Sequence, residues 1–194
     1  MKYRIESDFL GEMKIPSEAY YGIHTKRAMD NFPIAEVAIS VYPNIVIAYA
    51  MVKLACARAN NQLGLLEDDI YHPIASACER IINGEFHDQF VVEIIQGGAG
   101  TSTNMNANEV IANVALEIIG KEKGDYDTIS ALDHVNMSQS TNDTYPTALL
   151  VGFLKSTTRY WKQSNLYLMP FMPKVVNLSM LSKWVVRNSK TQCR

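Results

Sequence analysis

The sequence predicts a mainly α-helical domain with a few short strands, and three observations predict it. Four segments carry apolar residues at helical spacing: 43–60, 67–83, 105–119 and a run from 142 onward. Glycines stand where such helices should stop, Gly84 after the second and Gly120 after the third. Ahead of them, Gly11 and Pro16 mark turns around short extended pieces near the amino end.

In order along the chain, Arg4-Ile5-Glu6-Ser7-Asp8 and the residues before Pro16 read as the short strands, and 25–31 as a short helix. The helix at 43–60 places Ile45, Val46, Ala48, Met51, Val52, Leu54 and Ala55 over a wide face, the pattern of a well-buried helix. The helix at 67–83 ends at Gly84. The helix at 105–119 has a stripe of Val110, Ile111, Val114, Ala115 and Ile118. The fourth helix carries Pro146 near its first turn, where proline is tolerated, and continues through Ala148, Leu149, Val151 and Leu154.

Composition sets the class. In 194 residues, 47% are hydrophobic and 20% charged, as in globular proteins. No apolar run approaches the ~20 residues of a membrane span, and the opening Met1-Lys2-Tyr3-Arg4 lacks a signal-peptide core. Cys56, Cys78 and Cys193 match no metal or redox spacing, Cys56 and Cys78 read as small buried side chains on helices, and the protein reads as reduced and cytoplasmic. His24, His72, His87 and His134 are scattered without a second ligand at helical spacing, so no metal is expected.

The net charge of −2 conceals a break. Residues 1–155 hold 11 basic and 20 acidic side chains, whereas 156–194 hold 7 basic and none acidic. A basic tail is a surface for nucleic acid or acidic lipid, but residues 156–194 also have no clean helical or strand period. A back-translation whose frame shifts by one base, with the break near 155–159, turns 168–194 into a charged, amphipathic, helix-forming segment. The chain is therefore divided into a domain at 1–155 and an aberrant, frameshifted tail at 156–194, with neither nucleic acid nor membrane as partner.

Two polar stretches behave neither as core nor as ordinary surface. One is Gln96-Gly97-Gly98-Ala99-Gly100-Thr101-Ser102-Thr103-Asn104. The other is Asp133-His134-Val135-Asn136-Met137-Ser138-Gln139-Ser140-Thr141-Asn142-Asp143. Each is a polar loop running into a helix start, where unpaired N–H groups and the helix dipole favour an anion. The glycines allow close backbone approach. Thr101, Ser140 and Thr141 supply hydroxyl donors and Asn142 an amide. Neither loop contains Lys or Arg, so a carboxylate there would be held by neutral donors. The alternative is capping: Ser140, Thr141 or Asn142 could cap the fourth helix and Thr103 or Asn104 the third, worth ~1 kcal/mol each. The first loop is neither a P-loop nor a dinucleotide fingerprint.

At these motifs the sequence resembles the aspartate ammonia-lyases of the aspartase/fumarase superfamily over residues 4–155. Tyr20-Tyr21-Gly22-Ile23-His24-Thr25, Gly97-Gly98-Ala99-Gly100-Thr101-Ser102 and Gln139-Ser140-Thr141-Asn142-Asp143 carry the likeness. Class II fumarases usually have Gly-Ser-Gly-Thr and Ser-Ser-Asn-Asp at these places. The resemblance implies the amino-terminal domain of that fold, without its central helical bundle. It also implies reversible conversion of L-aspartate to fumarate and ammonia with no cofactor, in a homotetramer whose sites draw on three subunits. By resemblance Thr101, Ser140 and Thr141 hold the β-carboxylate and Asn142 orients the substrate, with Gly100, Ser102, Asn104 and His134 in support.

There are departures. Trp184-Val185-Val186-Arg187 stands where a Gly-Arg-Thr segment is expected, and the serine-bearing loop that supplies the family's base is absent. No catalytic base is therefore expected within this chain, and the isolated polypeptide is expected to be inactive. An exposed apolar surface on the fourth helix is expected as well. A fumarate hydratase, and a non-enzymatic domain that binds a dicarboxylate or a related chain, are the alternative readings.

Overall fold

The computed structural model describes residues 2–96 and 98–163. The chain opens with an antiparallel hairpin of β1 (Tyr3–Asp8) and β2 (Gly11–Pro16), in register from Tyr3 opposite Pro16 to Asp8 opposite Gly11. Gly11 makes the reversal at φ +110°, a region open to glycine. Five helices follow: α1 (Ile23–Asn31), α2 (Pro43–Gln62), α3 (Asp68–Ile82), α4 (Thr101–Ile118) and α5 (Thr141–Gln163). The expected helices at 25–31 and 43–60 are thus present with two-residue extensions, and that at 67–83 is present one residue shorter at each end. Pro43 occupies the first turn of α2, where its missing N–H costs no intrahelical bond.

α2 packs between α3 and α5, while α4 packs against α3, α1 and a π-helical turn at Ala131–Val135. Gly152 of α5 lies buried against the first turn of α2. A Cβ there would meet the Asn44 carbonyl at 3.1 Å, so any side chain would have to push the two helices apart by a few tenths of an ångström. The core joins Val46, Tyr49, Val52, Ile74, Ala77, Ile81, Val110, Ile111 and Val114 across α2, α3 and α4.

Two boundaries differ from the sequence expectation. α4 begins at Thr101 rather than near 105, and every residue from Thr103 to Leu116 is buried, 14 in succession. A helix enclosed on all sides has no single apolar stripe, and its polar first turns do not reveal their helical period. α5 begins at Thr141, which places Pro146 beyond the first turn, where it removes the N–H that would bond the Asn142 carbonyl. α5 continues through 156–163; the rest of the proposed aberrant tail, 164–194, lies outside the described residues. Among the described residues, no helix is long and apolar enough to cross a membrane.

Candidate functional site

The first polar loop reaches α4 through Gly98 at φ +78° and Gly100 at φ +87°, both left-handed. Gly100 is the N-cap residue and has no side chain to offer, so Gln96 reaches forward instead. Its Oε1 accepts from the Thr103 N–H at 3.1 Å, and its Nε2 touches the Thr103 hydroxyl. Thr103 and Asn104, considered above as caps, lie inside the helix and are buried. Thr101 is exposed and Ser102 half-buried. Both line a cleft of about 320 Å³ with Asp8, His24, Arg27 and Met105.

The second polar segment leaves the π-helical turn, whose start is capped by Ser130 Oγ, accepting from the N–H groups of Leu132 and Asp133. His134 Nδ1 accepts from the Ser130 N–H at 3.0 Å, which ties this histidine to the turn itself. Ser138 turns the chain at φ +57°. Ser140 then caps α5: its Oγ accepts from the Asn142 N–H at 3.2 Å, and its carbonyl accepts from the Thr144 N–H at 3.0 Å. Asn142 is exposed and Thr141 half-buried.

The two segments meet. Asn104 Nδ2 donates to Thr141 Oγ1 at 3.2 Å and to Asn136 Oδ1 at 3.0 Å, and the Thr144 hydroxyl donates to Asn104 Oδ1 at 3.2 Å. The Tyr145 ring lies against Gly100, where any Cβ would run into it. Asn104 and Gly100, assigned above to support, are therefore the junction of the two helix starts. Thr101 sits just past that junction, on the side facing the cleft.

Sequence reasoning missed the residue beneath this junction. Lys53 of α2 is fully buried and donates to Asn104 Oδ1 at 2.7 Å, Asn136 Oδ1 at 2.9 Å and Gln139 Oε1 at 2.8 Å. All three acceptors are neutral amides, and among the described residues no carboxylate pairs with it. Burial pushes its ammonium down to about 7. Its signal in the sequence was a charge inside the run of 43–60, where Arg58 near the end is the other. The loops hold neutral donors, as read from their composition, but a cation stands one side chain behind them.

A second unforeseen feature borders the cleft. Glu109 of α4, 1% exposed, accepts from the N–H groups of Gly22 at 2.8 Å, His24 at 2.9 Å and Thr25 at 3.1 Å. Glu6 accepts from the Ile23 N–H at 2.8 Å and from Arg4 Nε at 2.7 Å. Two carboxylates thus satisfy the orphan donors and the positive pole at the start of α1. Burial raises Glu6 above the usual carboxylate range despite Arg4. His24 Nδ1 lies 3.0 Å from Glu109 Oε1, and this hydrogen bond raises the imidazole above its ordinary value. Arg27 forks onto Asp8 at 2.6 and 2.7 Å and so holds that carboxyl below its ordinary value. Among the described residues, no group of three His, Cys, Asp or Glu side chains is arranged to hold a metal ion.

Residues 11–163 match the model of a family described as lyase. The chain is 58% identical over 151 residues to an aspartate ammonia-lyase of Pseudomonas aeruginosa, covering 78% of this chain and 32% of that protein. It is 52% identical over 163 residues to an aspartate ammonia-lyase of Helicobacter pylori, covering 84% of this chain and 34% of the relative. The chain therefore spans about a third of the length of these curated relatives. Among solved structures, a Brucella melitensis protein titled fumarate lyase:delta crystallin superposes with TM-score 0.79 at 54% identity, over 80% of this chain and 35% of that one. A recombinant class II fumarase from Schistosoma mansoni superposes with TM-score 0.75 at 35% identity, over 80% and 33% respectively.

Proposed function

The chain belongs to the lyase family, and from that premise we propose that it contributes the carboxylate-binding part of an aspartate ammonia-lyase. The observation that carries this reading is the junction of two polar helix starts through the Asn104–Thr141 hydrogen bond, 3.2 Å long. Relatives that bear this activity are 52–58% identical to the chain, against 35% for the class II fumarase structure. The loop residues Ala99 and Thr141 also follow the aspartase pattern rather than the fumarase one.

In the proposed reaction a base removes a proton from the carbon next to the β-carboxylate of L-aspartate. The electron pair moves into that carboxylate, which becomes an enediolate with a second negative charge, and ammonia then leaves to give fumarate. The base is the serine of a family loop that has no counterpart in this sequence. The role of the present residues is to hold the charge that develops. Preorganised donors aimed at a developing oxyanion are worth ~10²–10³ in rate apiece. Thr101, Ser140 and Thr141 supply such hydroxyls, at helix starts that also favour an anion. Asn142 orients the substrate, and no cofactor is needed. We place the whole protein in the cytoplasm as a homotetramer, with each site completed by neighbouring subunits.

The test follows fumarate absorbance for the whole protein with L-aspartate and, separately, with L-malate. Aspartate turnover is expected; malate turnover alone would transfer the reading to a fumarate hydratase. The 194-residue polypeptide by itself is expected to give no turnover. Fumarate formation by it at the rate of the whole protein would refute the assignment of the base to a missing loop.

A further inference from the structure

Lys53 is a buried cation that the proposed chemistry does not use, and its surroundings are one-directional. An ammonium has three donors and no acceptor, so every amide facing it must present oxygen. Asn104, Asn136 and Gln139 all do. Side-chain amides have two nearly isosteric orientations, and the donor or acceptor at one end decides which is adopted. With Oδ1 held by Lys53, Asn104 turns its Nδ2 toward Thr141 Oγ1 at 3.2 Å. Thr141 then receives a proton from inside and keeps its own for the outside.

The second and third amides fix the loop itself. Gln139, with Oε1 on Lys53, donates through Nε2 to the carbonyls of Val135 at 2.9 Å and Met137 at 3.2 Å. Asn136 Oδ1 also accepts from Asn108 Nδ2 at 3.3 Å, and its Nδ2 donates to the Gln139 carbonyl at 3.3 Å. One ammonium therefore sets both the course of the chain into Ser140 and the direction of the hydrogen bonds that reach Thr141.

We propose that Lys53 is the positioning residue of the carboxylate site: its ammonium orients the amides of Asn104, Asn136 and Gln139, so that the Thr141 hydroxyl faces a ligand as a donor. This rests on the reading that Ser140 and Thr141 receive a dicarboxylate. With the Asn104 amide reversed, Thr141 would donate inward and show lone pairs to the ligand, which a carboxylate cannot use. The device makes the site selective for anions without a charged side chain touching them. Hydrogen bonds in series also polarise one another in a buried setting, so part of the charge effect of Lys53 reaches the outer hydroxyl.

The experiment uses the 194-residue chain, isotope-labelled, as wild type, Lys53→Met and Asn104→Asp. Side-chain amide signals of Asn104, Asn136 and Gln139 are followed from about pH 5.5 to about pH 9, a window that contains the shifted lysine but not ordinary ones. The other groups near Lys53 that titrate are the thiols of Cys56 on α2 and Cys78 on α3, which burial pushes up to about 11 and about 12, outside that window. In wild type the three amide pairs are expected to move together with one midpoint near 7, and in Lys53→Met this step disappears. Amide signals that Lys53→Met leaves where wild type has them would overturn the proposal; should that variant fail to fold, the succinate binding of Asn104→Asp decides it.

Binding of succinate and fumarate is measured on the same variants of the whole protein, where neighbouring subunits complete the site. Asn104→Asp gives Lys53 an ion-pair partner but returns the Thr141 hydroxyl to the interior. It also loses the bond to Asn136 Oδ1, and of the bonds it loses the one to Thr141 should weaken succinate binding about tenfold. A merely structural lysine predicts unchanged binding in this variant, and that result would refute the orientation argument. Wild type that titrates as expected but does not respond to either dicarboxylate would sink the ligand reading and leave the amide orientation supported.

Discussion

Replacing Gly100 with alanine tests the junction between the two polar segments directly. Two effects add. The residue sits at φ +87°, a left-handed conformation that costs an L side chain ~1–2 kcal/mol. The new methyl would also occupy the place of the Tyr145 ring, and crowding of a packed site typically costs ~1–3 kcal/mol. Together they predict a loss of ~2–5 kcal/mol, and with a urea slope of ~2 kcal/mol/M the unfolding midpoint falls by ~1–2.5 M. Gly98 is the internal control. It has a similar φ of +78°, but a Cβ there has open space around it, so Gly98→Ala should lose only the ~1–2 kcal/mol conformational part. Combining Gly100→Ala with Tyr145→Ala should recover ~1–3 kcal/mol relative to additivity, because the ring is no longer there to be displaced. Urea denaturation of the four variants measures all of this. Equal losses for Gly98→Ala and Gly100→Ala, with no coupling to Tyr145, would mean that α5 does not rest on the first loop, and the case for a shared site would fail with it.

Other expectations follow from the same contacts. Glu109→Gln keeps the shape but leaves one oxygen for the three backbone N–H donors of Gly22, His24 and Thr25, so it should destabilise by ~2–4 kcal/mol, read by the same denaturation assay. The imidazole of His24, raised above its ordinary value of 6.5 by its bond to Glu109, should titrate by NMR with a midpoint above that value. Because the folded value is the higher one, its stabilising contribution is complete below the unfolded value and is lost as pH rises through the folded one; His24→Gln should flatten stability across that window. Phe153 and Leu150 of α5 are 65% and 60% exposed, beside an apolar groove of about 440 Å³ between α5 and the start of α2. Phe153→Ser should therefore reduce self-association in sedimentation, and an unchanged profile would acquit this surface.

Much of the scaffold was legible because hydrophobic period survives wherever a helix has a wet side. The segments 43–60 and 67–83 reappear as α2 and α3 within two residues at each end. α4 was harder. Asn104, Asn106, Asn108 and Asn113 are buried, and each looks like surface when polarity is the guide. Their burial is offset by partners in other segments, 11–93 residues away in the chain, although Asn108 Oδ1 is left without one. The polar character of the two loops was legible, as was their placement at helix starts. Their meeting point was not, since nothing local says that Asn104 faces Thr141. Lys53 was hidden for a different reason. A cation surrounded by neutral amides has no complementary charge in the sequence to betray it.

The asynchronous partners of α4 have one more consequence. Asn104 holds the loop at 136–141, Asn106 holds the carbonyl of Gln89 and the N–H of Val92, Glu109 holds the start of α1, and Asn113 holds Tyr20, Gly124 and Tyr126. The helix acts as a ruler from which distant stretches take their places. Inserting one residue in its middle would turn everything beyond by about 100°. Each of those graduations would then point at the wrong neighbour at once, so this rod can exchange side chains over time but can hardly change length.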